Sequence, residues 1–246
     1  MSLVLEICAY SIIDCIEAQC GGANRVELCE DMRTGGITPS YETVTGVRKH
    51  TNIPIHVMIR PRGGNFVYNE REIQIMLKSI RMAKHCGVSG LVFGCLTAAG
   101  DIDLTVCNRL MNEAQPLPVT FHRAFDKCRH PEQALEDIIK LGFARLLTSG
   151  QQPDAETGIP MLQQIVGQSA NRIIIMPGSG INPDNIVKIA RATGVNELHT
   201  SAQAVRGNGT DSATVAKCME KIKRIKYKTL QKQNLLLQTQ YQENNR

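Results

Sequence analysis

The hydrophobic pattern switches repeatedly between two periods. Around residues 55–60, Ile55, Val57 and Ile59 alternate with His56, Met58 and Arg60, which is the period-two signature of a strand. Pro61 cannot extend a ladder, and Gly63-Gly64 free the backbone beyond it. Arg60 and Arg62 are thereby delivered at a strand's carboxyl end. Farther on, Ile73, Met76, Leu77, Ile80 and Ala83 recur at spacings of three and four, predicting a helix from Asn69 to Cys86.

The same switch occurs eight times. Strands are predicted at Leu3–Cys8, Arg25–Cys29, Ile55–Arg60, Gly90–Phe93, Val119–Arg123, Arg145–Thr148, Arg172–Met176 and Glu197–Thr200. The intervening helices run from the Ser11 cap to Gln19, from Ser40 to Lys49, from Asn69 to Cys86, from Asp103 to Glu113, from Pro131 to Leu141, from Gly158 to Ala170 and from Pro183 to Ala192. A last helix starts near Ser212 and runs past Leu230, and a Gln-rich tail frays from Gln231.

Strands alternating with helices imply parallel pairing, in an open doubly wound sheet or a closed barrel. An open sheet covered on both faces is apolar on both. Here Ile55, Val57 and Ile59 oppose His56 and Arg60, Phe121 opposes Thr120 and His122, and Leu198 opposes Glu197 and His199. A barrel puts the apolar set under its helices and the polar set at its inner mouth. The expectation is a (β/α)8 TIM barrel over residues 1–212, followed by a basic C-terminal helix and polar tail over 213–246.

Composition narrows the function classes. At 246 residues and 42% hydrophobic content the chain has ample core for one large α/β domain. Aromatics make up 4% and Trp is absent, which argues against base stacking and specific nucleic-acid binding. The formal charge of +5 belongs to the C-terminus, since Lys217–Arg246 holds eight basic and two acidic residues. Such a run is ordinarily a solvated face, with an acidic partner as the alternative. Nine cysteines without a CxxC motif, and no apolar run of about 20 residues, predict a cytoplasmic protein with reduced thiols and no membrane contact.

Four groups of residues carry candidate chemistry. The first two strands end alike, in Glu6-Ile7-Cys8 and Glu27-Leu28-Cys29, so each Glu shares a face with its Cys. Adjacent strands lie about 4.8 Å apart, and two converging thiolates suit a soft, low-coordinate ion such as Cu(I). The same spacing also suits two ordinary buried cysteines. His122 and His199 point inward at strand ends, and with Glu6 and Glu27 they are acid–base candidates beside Arg60. Gly178-Ser179-Gly180 after the seventh strand, with Ser201 after the eighth, stands where barrels often bind phosphate. Together with Arg60 and Arg62 it predicts a site for a small anionic, even phosphorylated, metabolite.

Taken together, Glu6-Ile7-Cys8 with Ser11, Gly21 to Cys29, Met58 to Gly64, Phe121 to Asp126, Leu147 to Gly150, Met176 to Ile181 and His199 are more specific than any one of them. From Leu3 to Ser201 the chain resembles the CutC copper-homeostasis family. That resemblance implies a TIM barrel, a cytosolic location (also nuclear in some animals), copper handling, and Cu(I) on two strand-end cysteines that match Cys8 and Cys29. Gly178-Ser179-Gly180 departs from the family's triple-Gly turn. The segment after Ser201 matches no pattern, which leaves homo-oligomer contacts by the C-terminus as an expectation only.

Overall fold

Eight parallel strands, each followed by a helix, wrap into a nearly closed (β/α)8 barrel in a computed structural model that describes residues 3–203, 209–225 and 238–243. The units are β1 (Val4–Ala9) and α1 (Ile12–Cys20), β2 (Arg25–Leu28) and α2 (Tyr41–His50), β3 (Ile55–Met58) and α3 (Glu70–His85), and β4 (Gly90–Phe93) and α4 (Leu104–Ala114). The second half comprises β5 (Val119–Phe121) and α5 (Pro131–Lys140), β6 (Arg145–Thr148) and α6 (Ile159–Ser169), β7 (Ile174–Pro177) and α7 (Ile186–Thr193), and β8 (Glu197–Thr200) and α8 (Ser212–Lys223). The strand order is β7-β6-β5-β4-β3-β2-β1-β8. Among the described residues β7 and β8 share no ladder, but Gly178 after β7 lies against the His199 ring of β8.

Register decides what meets inside. Cys8 is level with Glu27 across β1 and β2, and Glu6 is level with His199 across β1 and β8. The alternating faces separate two apolar regions. Leu5, Ile7, Val26, Leu28, Ile55, Val57, Leu91, Phe121 and Leu198 join the large core between strands and helices. Cys8, Cys29, Met58 and Val92 form a small cluster of their own inside the barrel mouth.

The helices obey the pattern that predicted them. All five stripe residues of α3 are buried, and Ile73, Met76, Leu77 and Ile80 are each worth about 1.5–3 kcal/mol of transfer free energy. Asn69 and Glu72 close that helix's N-terminus with a reciprocal capping box. α8 buries Val215, Cys218, Met219 and Ile222 and packs against α1 and α7 as the last member of the helical ring.

Several boundaries differ from expectation for local reasons. β3 ends at Met58 because Thr38 takes over Arg60: the Arg60 N–H donates to the Thr38 hydroxyl at 2.8 Å, and the Thr38 N–H donates to the Arg60 carbonyl at 2.9 Å. β5 ends at Phe121, since His122 caps a short 3₁₀ turn over Arg123–Lys127. α7 starts at Ile186 rather than Pro183, because the Asn182 side chain accepts from the Asp184 N–H at 2.8 Å and holds a turn there. α8 ends at Lys223, short of Leu230, with Arg224 as its cap. Of the tail expected to fray, residues 238–243 are helical, and 226–237 and 244–246 lie outside the described residues.

Candidate functional site

The barrel interior is ionic below the mouth. Arg25, at the start of β2, donates from Nε to Glu6 Oε2 and from Nη2 to Glu197 Oε2 at 2.6 Å. Arg145, at the start of β6, reaches the same Glu197 oxygen at 2.8 Å. Burial alone would raise the Glu6 carboxyl, but Arg25 and the bond from His199 outweigh it and hold Glu6 low and ionised. His56 faces the same Glu6 at 3.7 Å, yet burial pushes its ring down to about 4 and leaves it neutral. A side chain at Gly90 would strike that ring at 2.5 Å, so β4 needs glycine there.

His199 links this ionic layer to the mouth. Its Nδ1 lies 2.8 Å from Glu6 Oε1, and its Nε2 lies 3.8 Å from Glu27 Oε2. Burial opposes the imidazolium, but Glu27, Cys8 and Glu6 outweigh that penalty and raise the ring well above its ordinary range. The Cys8 thiol moves the other way. A hydrogen bond from Cys29 lowers it most, against burial, and bonds to His199 and Tyr10 add to the effect. The bond with Cys8 and burial raise Cys29. The two shifts run in opposite directions, which favours the thiolate on Cys8 over one on Cys29. Burial and the Cys8 charge raise Glu27, whose Oε2 lies 3.6 Å from Cys29 Sγ.

One ligand atom each from Cys8, Glu27 and His199 lies within 4.8 Å of the others, all on buried side chains. Cys29 stands beside this group through its bonds to Cys8 and Glu27. A thiolate with an imidazole suits a soft monovalent ion. A histidine anchored at Nδ1 by a carboxylate is the usual support for a metal-ligating ring. The donor set therefore fits Cu(I) as cargo, and Glu6 supplies the outer support.

The mouth opens into a cavity of about 290 Å³. Of the residues singled out from sequence, Cys8, Glu27, Arg60, His122, Ser179, Gly180, His199 and Ser201 line it. Glu6 and Cys29 stand behind that lining, and Gly178 packs against Leu147 and His199. Arg62 points elsewhere. Its Nε donates to Glu72 at 2.6 Å, its other N–H groups reach the carbonyls of Gly63, Asn65 and Val67, and its guanidinium covers the Tyr68 ring.

Sequence reasoning passed over Tyr10, Arg25 and Arg145, and set Glu197 on the inward face beside His199 without giving it a role. Arg25 has the same strand parity as Glu27 and Cys29, so parity alone could have placed it inside as well. Tyr10 lies just past β1 and lines the cavity, and no periodicity marks it.

Comparison with known proteins places the chain among relatives of one kind. The model of the CutC family matches residues 3–204. A CutC family protein of Bacteroides thetaiotaomicron is 54% identical over 199 residues, covering 80% of each chain. The human copper homeostasis protein cutC homolog is 46% identical over 206 residues, covering 84% of this chain and 76% of that one. A crystal structure of a CutC protein from Streptococcus agalactiae superposes with a TM-score of 0.78 at 34% identity, covering 81% of this chain and 98% of that one. A thiamine phosphate pyrophosphorylase from Pyrococcus furiosus shares the fold alone, at a TM-score of 0.62 and 17% identity over 89% of this chain and 95% of that one.

Proposed function

The chain belongs to the CutC family, and we propose that it serves copper homeostasis by holding Cu(I) at the barrel mouth through Cys8 and Cys29, with His199 beside them. The observation that carries this reading is the convergence of ligand atoms from Cys8, Glu27 and His199 within 4.8 Å, with Cys29 hydrogen-bonded to Cys8 at its edge. Cys8 is the primary ligand, because it already holds the thiolate that Cu(I) prefers. Cys29 gives up its proton when the ion arrives and becomes the second sulfur. His199 releases its Nε2 proton and keeps Nδ1–H on Glu6, which leaves a lone pair facing the metal.

All nine cysteines are free thiols, and no described helix is long and apolar enough to cross a membrane. Free thiols support a reducing compartment, and the cytosol is the one we assign.

The test is a competition titration of the reduced protein with Cu(I) against a chromogenic chelator. The reading predicts that a Cys8→Ala/Cys29→Ala variant loses about 100-fold or more in affinity. Equal affinity in the two proteins overturns it.

A further inference from the structure

Three buried polar atoms, each on a residue that lines the cavity, lack a hydrogen-bond partner among the described residues: Glu27 Oε1, Arg60 Nε and His122 Nε2. A buried donor or acceptor left unpaired bears its full desolvation penalty, so three around one cavity call for an occupant with complementary polar atoms.

The local structure fixes what each atom offers. The Ala124 N–H donates to His122 Nδ1 at 3.3 Å. An accepting Nδ1 leaves the ring proton on Nε2, so the unpartnered nitrogen is a donor. Burial, reinforced by Arg60, pushes this imidazole down to about 3 and keeps it neutral. Arg60 is pinned through its terminal nitrogens to the carbonyls of Thr34, Gly36 and Gly64 at 2.9–3.0 Å, which leaves Nε–H and one Nη2–H, with the Tyr68 hydroxyl beside the same guanidinium. Both side chains rest on the Phe66 ring, each 4.9 Å from its centroid. They therefore form one rigid donor wall.

The rest of the lining complements that wall. Ser179 and Gly180 both take positive φ, 81° and 69°, and their N–H groups donate to no other described residue. A turn after the seventh strand with free amides is where barrels often hold an anionic oxygen. Glu27 Oε1 is the one acceptor in the set, its other oxygen being taken by Cys29. A hydroxyl suits it in either protonation state, because a hydroxyl both donates and accepts. At about 290 Å³ the cavity sits at the small end of the ligand-site range.

We propose that the mouth also binds a small hydroxylated oxyanion, a short hydroxy-carboxylate or phosphate ester. Its acceptor oxygens lie on His122 Nε2–H, Arg60 Nε–H and the 179–180 turn, and its hydroxyl lies on Glu27. The donor wall uses none of the cysteines, so this ligand does not depend on copper.

The experiment is calorimetric titration of the full, reduced chain, with a Cu(I) chelator present. The probes are glycolate, glycerate, glycerol phosphate and inorganic phosphate. At least one hydroxylated probe is expected to bind saturably and more tightly than inorganic phosphate. Its affinity falls about tenfold or more in His122→Phe, which keeps the ring against Phe66 and removes the donor. Tightest binding by a carboxylate or by a phosphate ester identifies the anionic group. Nitrogen NMR of ¹⁵N-histidine-labelled wild-type protein gives a second readout that needs no variant: the neutral Nε2–H form of His122, shifted by the bound probe. No saturable binding, phosphate binding as tightly as the organic probes, an unchanged affinity in His122→Phe, or an Nδ1–H tautomer each overturns the proposal. The copper titration depends on Cys8 and Cys29 and this one on His122, so either can fail alone.

Discussion

Glu6 Oε1 and His199 Nδ1 sit 2.8 Å apart across the β1–β8 pair, with the carboxylate fully buried. This contact ties the ionic layer of the barrel to the thiols at its mouth. It exists because β8 closes onto β1 in a register that sets Glu6 level with His199. Replacing Glu6 with Gln removes the charge that Arg25 and His199 share. The folded protein is expected to lose roughly 3 kcal/mol, since one member of a buried ion pair is left behind. Cu(I) affinity is expected to fall about 10- to 100-fold as the imidazole loses its outer support. Denaturant melts and the chelator competition read the two effects separately.

Cys8 and Cys29 are expected to differ sharply in reactivity although both are buried and adjacent. Cys8 holds the thiolate and lines the cavity, whereas Cys29 holds the proton. Iodoacetamide followed by mass spectrometry should label Cys8 first. Its labelling rate should fall less on acidification than that of an ordinary thiol, because the thiolate persists to lower pH. A pH dependence like that of the exposed Cys20, or faster labelling of Cys29, would count against this description.

The neutral His122 makes stability depend on acid. Its folded pKa, about 3, lies below the ordinary 6.5 of an unfolded histidine, so unfolding takes up a proton between those limits. Stability from this residue is complete above pH 6.5 and is lost as pH falls toward 3. Within that window one such proton changes the unfolding free energy by about 1.4 kcal/mol per pH unit. A His122→Phe variant should show an acid limb shallower by that amount in urea melts at stepped pH. An unaltered slope would mean that His122 is charged in the folded protein.

The barrel itself could be read directly from the sequence, because period-two and period-3.6 patterns are local. The α3 stripe and the inward parity of Cys8, Glu27 and His199 follow from spacing alone. What spacing does not carry is which strands become neighbours through closure. Nothing local links Glu6 to a histidine 193 residues away, nor Arg25 and Arg145 to one carboxylate on Glu197. Loops are the other blind spot. Arg60 and Arg62 stand two residues apart beyond the same strand, yet one lines the cavity and the other binds Glu72 on α3. Glycine geometry and backbone carbonyls make that choice, and they leave no periodic trace.

The central claim is that the mouth thiols hold copper, and the most direct measurement is anomalous diffraction at the copper edge from crystals of the Cu(I)-loaded, reduced protein. The account predicts a single strong peak inside the barrel mouth, within bonding distance of Cys8 Sγ and flanked by Cys29 and His199. A peak on the exposed Cys20 or elsewhere outside the barrel, with none beside Cys8, contradicts it.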